Sequence, residues 1–368
     1  MSRATTPEAA DRSRIANLDI LRFIAAMLVV GYHYLFLGGH NGQFMAIDLG
    51  LDETGIRFAY YGVHLFFMIS GFVILWTVQD NDPVNFSISR IARLWPAMAI
   101  CSAITALVTV WYAQPPFEAT LAQWLANLTF LAPSFGQPFM DGVYWTIVLE
   151  LIFYFWIAIL MIARIMPRYV VEVALVWLYF CAINELWLGS QVLNHGLMTA
   201  YGPWFIIGML SFQLWSRGWD SVVAFILLVA VAMSMALTYL DHRDAIANEQ
   251  VLPGYSGILL VNGLAIGAFL LAVFSKRSVP ASRLVLAIGA LTYPLYLLHQ
   301  HVGYMMINTL EPALGAWLAV AGTTIAVLIQ SWIVTTWWER PVGRLIKRGL
   351  KALANAMPIL NAQRTVRG

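Results

Sequence analysis

Charged side chains are what this sequence has least of. Asp, Glu, Lys and Arg make up 11% of its 368 residues, whereas hydrophobic residues make up 60%. A soluble domain carries roughly 25% charged residues. The deficit leaves too few charges to coat a water-facing surface, so hydrocarbon must be the solvent for most of the exterior. Cysteine is nearly absent too. Cys101 and Cys181 both lie in apolar runs, which argues against a disulfide framework and against a cysteine-based metal site. There is no Gly-rich phosphate loop, no nucleophile-elbow serine and no His-rich metal motif. Internal repeats, low-complexity tracts and a soluble domain are also missing. The N-terminus, MSRATTPEAADRSR, is polar and shows no cleavage site after a short apolar core, so the first apolar run reads as a retained membrane helix. Nothing in the charge pattern points to nucleic acid.

What the sequence does hold is a series of long apolar runs. Ten are long enough to cross about 30 Å of hydrocarbon, which takes about 20 helical residues each. They fall near 19–37, 57–79, 94–113, 143–164, 169–188, 197–215, 221–240, 255–274, 284–308 and 314–338. With the N-terminus inside, every basic residue except Arg22, Arg57 and Arg243 falls on the inner side. Arg22 itself lies within the first helix. The positive-inside rule therefore puts both termini in the cytoplasm. The expected fold is all-α: a polytopic integral membrane protein of about ten transmembrane helices, multi-pass in a cell inner membrane. Residues 1–368 form one membrane domain with a cytoplasmic tail at 1–18 and a basic cytoplasmic tail at 340–368. Two segments have the pattern of helices lying in the interface. Residues 118–132 carry Leu121, Trp124, Leu125, Leu128 and Leu131 on one stripe at the outer side. Residues 343–354 pair Leu345, Ile346, Leu350 and Leu353 with a basic face at the inner side.

Ionisable groups inside such runs are costly, at least about 2.5 kcal/mol each, and so mark function. Arg22 and His33 share the first helix. Eleven residues bring the helix back to nearly the same face, about 16 Å further along. Asp19, three residues before Arg22, is placed to pair with it. His64 on the second span and Glu150 on the fourth come at similar depth from the outer end, so His33 and His64 are the natural partners for Glu150. A carboxylate flanked by Leu149 and Leu151 stays neutral unless paired. His299 lies in the outer half of the ninth span, with Gln300 and His301 behind it, and Pro294 is expected to kink that helix. Arg90 and Arg93 stand one turn apart at the cytoplasmic mouth of the third span. They suit either clamping of phosphate oxygens or plain inner-side anchoring.

The order and spacing of these residues resemble the acyltransferase-3 family of membrane O-acyltransferases. LDILRFIAAMLVVGYH is similar to that family's Arg-x10-His pattern, at Arg22 and His33. GVHLFFMISGFVI resembles its GVDLFFVLSGFLI segment, with His64 where Asp is common. SRIARLWPA resembles its Arg-rich third-helix entry and ends in Pro96. YWTIVLELIFY resembles WTLSVEEQFY, which aligns Glu150 with the first Glu and puts Leu151 in place of the second. LTYPLYLLHQ resembles SYSLYLWH and aligns His299. WWERPVGRLIKR resembles the closing Glu-x-Pro and basic tail. The matches run from residue 18 to 348. The third-helix arginines depart from the family, being spaced Arg-x-x-Arg where a closer spacing is common.

The resemblance implies an acyl-CoA co-substrate, most often acetyl-CoA, with no permanently bound cofactor, no metal, and a carbohydrate or glycolipid acceptor such as a polysaccharide or lipopolysaccharide. The acyl group it implies is acetyl, succinyl or longer. Arg22, Arg90 and Arg93 would take the donor from the cytoplasm. His33 would be the general base, and Glu150 or His64 would orient it. His299 and Ser70 would lie toward the acceptor, Ser70 being also the nearest candidate for an acyl-enzyme nucleophile. A buried His/Glu/Arg chain is equally what a proton-coupled small-molecule transporter needs, but no inverted repeat or matched pair of broken helices accompanies it.

Overall fold

Helix is the answer the bilayer forces, because each span must satisfy its own backbone polar groups. A computed structural model describes residues 7–42, 44–47, 49, 51, 55–249, 255–275 and 279–356. It contains helices α1 (Pro7–Tyr32), α2 (Gly62–Gln79), α3 (Pro83–Tyr112), α4 (Leu121–Asn127), α5 (Tyr144–Ile162), α6 (Val170–Ile183), α7 (Gln191–Leu197), α8 (Gly202–Arg217), α9 (Ser221–Glu249), α10 (Tyr255–Phe274), α11 (Arg283–Leu298), α12 (Gln300–Leu314), α13 (Ala316–Val334) and α14 (Arg340–Ala356). No strand occurs among the described residues. The protein is an all-α polytopic membrane protein. Arg3, Lys276, Arg277, Arg364 and Arg367, which enter the charge argument, lie outside the described residues, as do 1–6 and 357–368 of the two tails.

Among the described residues, nine helical segments are long and apolar enough to span, from Ala16–Leu37 to Ala316–Ala356. They correspond to nine of the ten expected runs. The tenth, expected at 284–308, is not one helix. It divides at His299 into α11 and α12, and α11 alone is a shorter apolar helix. The break has a local cause. The His299 ring places Nδ1 on the carbonyls of Leu295 and Tyr296, at 3.2 and 2.8 Å, and the His301 N–H leaves the helix to bond Asp141 Oδ2 at 2.9 Å.

Internal contacts divide the chain into two units. The first comprises Met1–Trp76, Leu149–Phe153 and Ile165–Thr292. Its tightest contact joins α2 to α8. A Cβ on Gly71 would stand 2.1 Å from the Phe205 carbonyl oxygen, and one on Gly208 would stand 2.0 Å from that of Met68. Only hydrogen fits at either point, so the two backbones touch. Small residues serve this purpose between membrane helices, where no hydrophobic effect drives association. Around the crossing the Phe205 ring stacks on Phe67, with centroids 4.8 Å apart, and meets Phe153 at a tilt, 4.6 Å away.

The second unit comprises Thr77–Val148, Tyr154–Arg164 and Tyr293–Gly368. Asp82 starts α3 by accepting the N–H groups of Val84 and Asn85, with Pro83 in the first turn. Pro96 has no N–H for the Ala92 carbonyl. Gly343 of α14 packs against that same carbonyl, where a Cβ would come within 2.6 Å. The expected inner-side helix at 343–354 is therefore docked on α3, with Gly343 at the contact. The expected outer-side segment contracts to α4, closed by a Thr120/Gln123 capping box. Its leucines turn outward, Leu121 being 70% exposed. Its polar groups turn in, and Gln123 and Asn127 bond the carbonyls of Phe139 and Pro138.

Candidate active site

His33 follows the last residue of α1 and opens a π-helical turn, His33–Leu37. Such turns are rare and concentrate at functional sites. The ring is buried, and its Nδ1 lies 2.8 Å from the Val29 carbonyl. A carbonyl only accepts, so Nδ1 carries the hydrogen, and in the neutral ring the lone pair sits on Nε2. Four residues of helix thus decide which nitrogen is the base. Further down α1, Arg22 pairs with Asp19 at 3.2 Å, as their spacing predicts. Asp19 is wedged against Gly289 of α11, where a Cβ would stand 2.7 Å from its side-chain carbons.

His64, expected as a partner for Glu150, bonds elsewhere. His64 points Nδ1 at Asn262 Oδ1, 2.7 Å away, and the Asn262 amide donates to the Ile258 carbonyl. The imidazole also stacks on Trp204 at 4.0 Å. Asn262 is buried in the middle of α10, and sequence reasoning passed over it. The signal was there: one asparagine in the run GILLVNGLAIGAFLL. Glu150 accepts a 2.6 Å hydrogen bond from Ser70. The first unit thus holds Arg22, His33, His64, Ser70 and Glu150, and it brings Ser70 and Glu150 into direct contact.

Arg90, Arg93 and His299 belong to the second unit. The Arg90 guanidinium lies over the rings of Phe86 and Tyr154, at 5.8 and 5.7 Å, and donates from Nε to Ser89. Arg93, one turn on, is exposed and within electrostatic reach of Glu339, as is Arg340. The two arginines have different surroundings, one face-packed on aromatics and the other open. His299 is fully buried at the α11–α12 break. Asp141 accepts the N–H groups at the start of both α5 and α12, from Val143 at 3.2 Å and from His301 at 2.9 Å. It too went unnoticed in the sequence, where it sits in a loop between runs.

Comparison with known proteins bears on what these groups do. The family model described as an acyltransferase domain matches residues 15–336. The chain belongs to the acyltransferase-3 family. It is 25% identical to nodulation protein 10 of Rhizobium leguminosarum bv. viciae, over 89% of this chain and 93% of that one. It is 24% identical to ORF330 of Acidianus two-tailed virus, a protein named as an acetyltransferase, over 84% of this chain and 87% of the other. No solved structure matches it. Membership makes the chain an acyltransferase rather than the proton-coupled carrier that buried ionisable groups alone would equally allow. The match takes in α1 to α13 and stops short of α14.

Proposed function

We propose that this acyltransferase moves an acyl group, acetyl by preference, from cytoplasmic acyl-CoA to a hydroxyl of a cell-surface glycan or glycolipid, in a bacterial inner membrane. The observation that carries the reading is the His33–Val29 hydrogen bond, which leaves the imidazole lone pair on Nε2. The acceptor hydroxyl attacks the thioester carbonyl while Nε2 takes its proton. The carbon–sulfur bond then breaks, and the thiolate leaves as free CoA after accepting a proton from the imidazolium. A well-placed general base contributes about 10²–10⁴-fold to such a step. Arg90 and Arg93 are the proposed partners of the donor's phosphates, and Arg93 is the one whose guanidinium stands open. Glu150, which accepts a hydrogen bond from Ser70, is the proposed group that orients His33 or stabilises its charged form.

The test uses the full chain in nanodiscs with acetyl-CoA labelled on the acetyl group and a panel of surface glycans. Release of CoA and of labelled product is followed for the wild type and for His33→Ala. The expected outcome is transfer by the wild type and at least a ~10²-fold slower rate for the variant. Absence of transfer, together with absence of acetyl-CoA binding by calorimetry, would overturn the donor assignment.

A further inference from the structure

Helix α14 lies beyond residue 336, where the family match ends, and the chemistry above makes no use of it. Length fixes where it starts. Ala316–Ala356 is one helical stretch of 41 residues that takes in α13, the π-helical turn Thr335–Glu339 and α14. At about 1.5 Å per residue it measures about 60 Å, twice the hydrocarbon thickness of about 30 Å. α13 and the turn already cover that thickness, so α14 begins at the boundary. Tryptophan concentrates at such boundaries, and Trp337 and Trp338 in the turn are both exposed. The sides of α14 differ in chemistry. At about 100° per residue, Arg340, Arg344, Lys347 and Lys351 fall within an arc of about 60°, with Arg348 beside them. All five are exposed. Gly343 and Ala354 lie along one edge of this stripe and are buried, Gly343 on the Ala92 carbonyl of α3. Leu345 and Leu353 lie on the far side, 70% and 54% exposed.

A positive-inside bias asks only that basic residues gather near an inner helix end, not that they share a stripe. α14 holds no acidic residue, and Arg344, Lys347, Arg348 and Lys351 form no ion pair with another described residue. This concentration of positive charge calls for anions. The two leucines, on a helix that starts where the hydrocarbon ends, call for an apolar cover. A soluble anion meets the first demand alone, and an apolar helix meets the second alone. A phospholipid with an anionic headgroup meets both, since its phosphate reaches the stripe while its acyl chains cover the leucines. We propose that α14 is a binding site for anionic phospholipid in the cytoplasmic leaflet. Arg344, Lys347, Arg348 and Lys351 take the headgroup phosphates, and Leu345 and Leu353 sit among the acyl chains. The close approach of Gly343 to the α3 backbone holds the stripe at a set place on the bundle, so the site is part of the fold.

No acyl donor or acceptor enters the test, so its result is independent of the reaction. Native mass spectrometry on the full chain in detergent micelles counts bound lipid after addition of phosphatidylglycerol or phosphatidylcholine. The wild type is expected to retain phosphatidylglycerol in preference. The pair Lys347→Gln/Lys351→Gln should weaken that retention at least ~10-fold, since each basic residue near an anionic surface is worth about fivefold. The matched pair Arg168→Gln/Arg217→Gln, which removes two other exposed charges assigned to the same side, should leave it unchanged. Leu345→Ser/Leu353→Ser should weaken it several-fold with every charge in place. A second measurement needs no variant: raising the salt concentration about tenfold should release phosphatidylglycerol and leave phosphatidylcholine as it was. Equal losses in the two charge pairs would reveal a general attraction to the positive side and overturn the site. Retention of phosphatidylglycerol insensitive to salt would overturn it too. Binding that ignores the leucines and is abolished by heparin would assign the stripe to a soluble polyanion instead of lipid.

Discussion

Ser70 is a residue that the sequence marked only as a remote nucleophile, and the structure gives it a definite contact. Its hydroxyl donates to Glu150 across 2.6 Å. A carboxylate oxygen in an apolar span is costly to leave without a donor. Ser70→Ala leaves that carboxylate one bond short, so a loss of about 1–3 kcal/mol of stability is expected in denaturant or thermal unfolding of the reconstituted protein. Ser70→Thr retains the hydroxyl and should recover most of it. His64→Ala is expected to act differently, since it empties the stack on Trp204 and leaves Asn262 Oδ1 without its donor. The measurable outcome is a destabilisation of about 3–5 kcal/mol. That His33, His64 and Glu150 lie in helices was legible from the sequence, because an ionisable group in an apolar run announces itself. Their partners were not legible. Depth along ideal helices could not show that Ser70 donates to Glu150 or that His64 bonds Asn262, because rotation about each helix axis is set by packing.

Elements show the same division. Run length and apolarity gave the spans, since hydrocarbon thickness fixes how much helix is needed. The division of the ninth run at His299 escaped notice because it depends on Asp141, which lies 160 residues away in the chain. Proline gave a hint in the wrong place: Pro294 remains inside α11, and the interruption comes five residues later. Asp141→Asn is expected to loosen the starts of α5 and α12 together, which hydrogen exchange at Val143 and His301 would report as joint loss of protection. Exchange that changes at one helix only would show that the carboxylate does not tie the two. The α2–α8 crossing makes a harsher prediction. Gly71→Ala or Gly208→Ala puts a methyl group into a backbone. Each should cost about 1–3 kcal/mol or more and lower the yield of folded protein in detergent, measured by size-exclusion chromatography.

For the whole molecule, composition was sufficient to assign the solvent, and the order of short motifs was sufficient to suggest the family that the match over residues 15–336 then established. Neither could show which buried polar side chains meet, because that depends on helix rotation and on which helix ends come together. At this scale the donor's entry is the property to probe. Arg93→Ala is expected to raise the KM for acetyl-CoA by about tenfold with kcat little changed, the cost of one lost charge-assisted contact. Arg90→Ala should also lower stability, because its guanidinium covers Phe86 and Tyr154. Equal effects of the two substitutions on KM and on melting would argue against their different surroundings mattering.

The contact of Gly71 with Phe205 and of Gly208 with Met68 also bears on how the protein meets its bilayer. Helices separated by long side chains can slide and tilt past one another as membrane thickness changes, since the side chains adjust their rotamers. Two backbones in contact have no such cushion. α2 and α8 must therefore tilt as a single strut when the hydrocarbon thins or thickens. His64 on one helix and Trp204 on the other keep their spacing through that tilt, and the strain of mismatch falls on helices joined only by side chains.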